Sequence, residues 1–152
     1  MEDRRASISD RDRKFLENNK DKFGLGETAA KDVYALTVSL GMKSPKEMTK
    51  KNTSWIRAAT IDMNTRAVIA TARLGAEDIT DENINQFAEY NACISFADQC
   101  SYAGFEKLAK MLADATDAKG NYDDNIFVSE LMHELDRLYE KNVKPEEDLQ
   151  IC

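Results

Sequence analysis

The chain has 152 residues, 42% of them hydrophobic and 32% charged, with a formal net charge of -7. That length fits one domain able to bury a core without metal or disulfide staples. No run of about 18 apolar residues occurs, which argues against a membrane-spanning helix, and no apolar stretch follows Met1-Glu2-Asp3-Arg4-Arg5-Ala6, so the start does not read as a secretory signal.

In chain order, residues 1–8 are polar and read as disordered. Ser9 or Asp10 can cap a first helix running to about Lys22, with Phe15 and Leu16 as its apolar points and Gly24 as its stop. Phe23 and Leu25 are expected to tuck back onto the core. Thr28 is the expected cap of a second helix, where Ala29, Val33, Leu36 and Leu40 fall at helical spacing and Tyr34 and Val38 widen the stripe. Gly41 stands where a C-terminal cap belongs. A polar loop, Met42–Thr53, carries Pro45 and four lysines. Residues 54–61, with Trp55, Ile56 and Ile61, fit a short strand or a helical turn, and periodicity does not choose between them.

Asp62 or Asn64 starts a third helix over about 65–74, closed by Gly75. Thr80, with Asn83 at the capping-box spacing, opens a further helix to about Gln99, using Ile84, Phe87, Ala88, Asn91 and Ile94 on one face. Ser101-Tyr102-Ala103-Gly104 reads as a kink or break, and Phe105, Leu108, Met111 and Leu112 carry a following helix to about Ala115. Gly120-Asn121 is a turn signal. Asn125 can cap a last helix in which Val128, Leu131, Met132, Leu135, Leu138 and Tyr139 keep the i, i+3, i+4, i+7 rule. The sum is a mainly α protein: a compact single-domain bundle of five or six helices over residues 9–141, with one short strand pair near 54–61 as the open alternative, and a loose acidic tail at 142–152.

Chemistry-bearing residues are sparse. Cys93, Cys100 and Cys152 make an odd set, and Cys93 and Cys100 on one helix stand roughly 10 Å apart, beyond disulfide reach. Reduced thiols point to a cytoplasm. His133 is the one histidine. Its Glu130-x-x-His133 spacing matches half of a carboxylate-bridged di-iron site, but the second motif has no histidine to build it. A zinc-protease pattern fails because Arg137 stands where its second histidine belongs. Asp123-Asp124-Asn125 reads as a helix cap rather than a calcium loop, and Asn91 as a hydrogen-bonded polar residue on an apolar face. No catalytic residue, metal or cofactor is assigned.

Charge is the most informative pattern. From Thr28 to Gly75 eight bases face three acids; from Ala76 onward eighteen acids face six bases. The bases Lys43, Lys46, Lys50, Lys51, Arg57, Arg66 and Arg73 cluster around Trp55. Lysines suit phosphate contact and an indole can stack on a base, so these eight residues are the candidate partner or nucleic-acid contacts.

Three segments carry a resemblance. Lys31-Asp32-Val33-Tyr34-Ala35-Leu36 runs on through Leu40-Gly41-Met42-Lys43. Trp55 with its flanks follows, and then Cys100-Ser101-Tyr102-Ala103-Gly104-Phe105-Glu106-Lys107-Leu108. In order and rough spacing, over about Phe15 to Leu112, they resemble the small accessory proteins encoded beside bacterial DNA phosphorothioation (dnd) modification and restriction genes. Met42 stands where that family carries an aromatic. The resemblance implies a cytoplasmic, non-catalytic accessory subunit of a phage-defence system, acting through contacts with the protein components of a DNA-defence complex and away from membranes. Direct DNA binding through segment 43–73 is the alternative.

Overall fold

The computed structural model describes residues 5–57 and 90–140, and within α3 and α4 below the side chains of residues 90–92 and 139–140 fall outside that description. The described elements are β1 (Arg5–Ser9), α1 (Asp10–Asn18), α2 (Ala30–Gly41), β2 (Asn52–Arg57), α3 (Tyr90–Asp114) and α4 (Asp124–Glu140). The protein is mainly helical, and among the described residues it has one two-stranded antiparallel sheet. Four helices lie among the described residues. The helix expected at 65–74 and the helix start at Thr80 lie outside them. The chain divides into two compact units, Met1–Lys107 and Leu108–Cys152.

Residues 5–8, expected to be disordered, instead form most of β1 and pair with β2. The reason is side-chain alternation: Ala6 and Ile8 are buried, so this polar-looking stretch turns an apolar face to the core. The ambiguity at Trp55 also has a cause. Ala6 pairs with Ile56 but Ser7 pairs with Ser54, leaving Trp55 as the extra residue of a bulge. A bulge breaks the period of two and re-aims its side chain. The Trp55 ring meets Tyr34 edge-on at 5.9 Å and Phe105 at 6.0 Å.

Helix α1 starts as expected, with the Ser9 hydroxyl accepting the Asp12 N–H at 3.1 Å. It ends at Asn18, short of Lys22, and the chain turns through Phe23 and Gly24, both with positive φ (54° and 64°). Leu25 is buried and Phe23 half-buried. Thr28 does not cap α2: its hydroxyl donates to the Gly24 carbonyl, and Ala29 holds the cap position without a side-chain bond. Of the expected α2 stripe, Val33, Tyr34, Val38 and Leu40 are buried, Leu36 is half-buried and Ala29 is exposed.

Of the kink or break expected at Ser101–Gly104, the break does not occur. Helix α3 runs through it unbroken. Small residues there serve contact rather than termination. A Cβ on Gly104 would lie 1.7 Å from the Thr37 carbonyl oxygen, and one on Gly41 would lie 1.8 Å from that of Cys100. The backbones of α2 and α3 therefore touch at a crossing that only two glycines permit. Beside it the Thr37 and Ser101 hydroxyls share a buried 2.7 Å hydrogen bond. Asp98, also buried, accepts the Ser7 N–H at 3.1 Å and the Tyr34 hydroxyl at 2.9 Å, tying β1, α2 and α3 together. Around these contacts Ile94, Ala97, Cys100 and Phe96 fill the first unit's core with Tyr34, Val38 and Ile56.

In the second unit a bridge pairs Thr116 with Tyr122 across the Asp117–Asn121 turn. Gly120 adopts φ 85° there, as the turn signal anticipated. The cap of α4 is Asp123 rather than Asn125: its carboxylate accepts the Asn125 N–H at 2.8 Å. Among the described side chains of α4, Phe127, Leu131 and Leu138 are buried.

Candidate functional site

The lysines of the candidate set lie on the loop between α2 and β2, and the fold pins that loop down. The Lys46 N–H donates to the Gln99 carbonyl at 3.2 Å, and the Asp10 N–H to the Lys51 carbonyl at 3.0 Å. The Asn52 side chain donates to the Thr49 carbonyl at 2.9 Å. Lys43, Lys50 and Lys51 remain exposed. Lys46 is committed elsewhere: its ammonium meets Glu106 at 2.6 Å.

Glu106 accepts from two sides. Its other oxygen takes Nη1 of Arg11 at 2.7 Å. The Arg11 guanidinium also reaches Asp12 at 2.8 Å and the Tyr102 carbonyl at 2.9 Å, and it stacks 3.8 Å from the Tyr102 ring centre. Hydrogen bonds from Lys46 and then Arg11 hold the Glu106 carboxyl below the usual carboxylate range. Asp12 moves the other way, pushed up by burial despite its bond to Arg11. This ionic cluster fastens α1, the lysine loop and α3.

Trp55 is half-buried between Tyr34 and Phe105, which places it against the core. Arg57 is exposed at the end of β2, directly across the sheet from Arg5. Arg66 and Arg73 lie outside the described residues, as does the side chain of Asn91. The linear reading missed Arg5 and Arg13. Arg13 donates to the Thr53 hydroxyl at 2.7 Å, so α1 adds its charge alongside β2. Nothing in the local sequence signals this, because β1 and α1 reach β2 only through pairing some forty-five residues apart. The result is a basic strip with Lys50 and Lys51 at one end of β2 and Arg5 and Arg57 at the other.

The second unit presents a different surface. Burial takes only part of the apolar stripe on α4, leaving Val128 40% and Met132 54% exposed one turn apart. Asp124 and Asp136, both exposed, continue the same i, i+4 row at its two ends. At the start of α4 an open pocket of about 440 Å³ is lined by Asp114, Asp117, Tyr122, Asp124 and Ile126 among others. The Asp117 carboxyl is held below its usual range, first by the Asn121 N–H and also by that of Lys119, so it is spent on shaping the turn. Burial, with help from Asp124, pushes the Tyr122 phenol up.

His133 is exposed on α4. Cys93 and Cys100 are buried thiols, and burial pushes Cys100 up to about 12, far from a nucleophile's range. Among the described residues no group of three or more His, Cys, Asp or Glu side chains could hold a metal ion, and no helix is long and apolar enough to cross a membrane. No protein-family model, no curated protein and no solved structure matches the chain.

Proposed function

We propose that the chain is a non-catalytic interaction subunit that works by binding other proteins, in the setting of a bacterial phosphorothioation-linked modification and restriction system. One observation carries the interaction reading: α4 leaves Val128 and Met132 in solvent on a helix whose buried stripe is already satisfied by Phe127, Leu131 and Leu138. A methionine and a valine exposed one turn apart suit helix-in-groove contact. The setting rests on the resemblance of the segments at 31–43, around Trp55 and at 100–108. Tagged full-length protein expressed with its genomic neighbours is expected to retain at least one neighbouring gene product through size-exclusion chromatography. Retention of none defeats the reading.

A second reading is favoured by the basic strip. Lys43, Lys50, Lys51, Arg5 and Arg57 are exposed around β2, and that arrangement suits phosphate contact. Trp55, packed between two rings, adds no stacking platform to it.

A further inference from the structure

The exposed row on α4 specifies more than an apolar contact. We infer that Asp124, Val128, Met132 and Asp136 form a docking strip for an amphipathic segment of another protein, with apolar side chains bracketed by lysine or arginine. This rests on the interaction reading above and adds the partner's chemistry. The four residues follow one another at single-turn intervals, so the row is about 18 Å long. Its middle is apolar and open, with half-buried Leu135 alongside. Each end is an exposed carboxylate.

Charge decides among occupants. A second copy laid along the row in parallel sets Asp124 against Asp124 and Asp136 against Asp136. Laid antiparallel, it sets Asp124 against Asp136 at both ends. Every such pairing opposes like charges. Phosphate backbones are repelled for the same reason. A segment with a basic residue beyond each end of its apolar face satisfies both carboxylates and covers Val128 and Met132. At the Asp124 end the open pocket also offers Asp114, with exposed Ile126 and the Tyr122 ring as a wall for the methylene stem of an inserted lysine or arginine.

The test is fluorescence anisotropy on the full chain. The probe is a labelled helical peptide with a leucine face flanked by lysines. One control carries glutamates in place of the lysines, and another carries serines in place of the leucines. The lysine–leucine peptide is expected to bind, and each control to bind roughly tenfold or more weakly. Asp124→Lys with Asp136→Lys is expected to invert the preference toward the glutamate peptide. Val128→Ser with Met132→Ser is expected to weaken binding roughly tenfold with the circular dichroism spectrum unchanged.

Flank-indifferent binding, binding that survives the serine variant, or no binding of any peptide overturns the inference. So does a dimer in sedimentation velocity that the serine variant abolishes, which assigns the strip to a second copy. A neighbouring gene product retained equally by wild type and the serine variant sinks the strip but leaves the interaction reading standing. Peptide preference without any retained neighbour does the reverse.

Discussion

At Gly104 and Gly41 the absence of one carbon atom sets the spacing of two helices. A Cβ at Gly104 meets a backbone oxygen, which cannot swing aside as a side chain can. Gly104→Ala is therefore expected to cost about 3 kcal/mol, the upper part of the usual overpacking range, read as a lower urea midpoint with unchanged slope. An exposed helical glycine replaced by alanine gains stability instead, so the sign alone distinguishes contact from local propensity. Cys100 belongs to the same crossing. With its thiol near 12, alkylation by iodoacetamide at pH 8 is expected to miss Cys100 in the folded protein and reach it in denaturant, as peptide mass mapping would show. Modification of Cys100 in the native protein would contradict the packing described.

Among elements, the Glu106 cluster fixes the lysine loop to α1 and α3. Because Lys46 and Arg11 lower the folded-state value of Glu106, its contribution to stability is present above the unfolded glutamate value. It is lost as pH falls through the depressed folded value. Asp12 has the opposite sign: its raised value favours the folded state at low pH, and that advantage fades as pH rises through the folded value. The useful readout is thus the stability of wild type minus that of Glu106→Gln. This difference is expected to be flat at neutral pH and to shrink in the acid range. Both partners of the Lys46 pair are substantially exposed, so it should also shrink with added salt. A difference that grows on acidification would refute the assignment.

Among the described residues, the exposed basic strip and the exposed apolar row lie on different elements. The first unit carries a basic strip along β2, and the second an acidic, partly apolar helix face. With Lys46 paired to Glu106 and Trp55 packed, the strip is an exposed cationic surface without base-stacking reach. Any DNA binding by the full chain is accordingly expected to be non-specific. Its Kd at physiological salt should fall in the range of about 10⁻⁶ to 10⁻⁴ M, with a steep loss on raising salt. Lys50→Glu with Lys51→Glu should weaken a gel shift equally for unrelated sequences. Strong preference for one sequence would show that base edges are read and displace this view.

Much of the architecture was legible in the linear chain. The α2 stripe, the Ser9 cap, the turn at Gly120-Asn121 and the apolar run of α4 follow from spacing and residue type, because helix period and capping act within a few residues. The clustering of bases along the chain was legible too, since it needs no fold. What the chain could not disclose were the features that depend on distant backbone. Whether Gly104 ends a helix or lets α2 in depends on Thr37, sixty-seven positions earlier. Whether residues 5–8 are loose or a strand depends on residues 52–57 being there to pair. Whether Lys46 is a free cation depends on Glu106. Likewise the α4 pattern marks an apolar stripe but not which edge of it stays in water. Local interactions determine which elements form. Close approach, long-range pairing and burial belong to the assembled structure, and they determined which of this chain's side chains remain available to a partner.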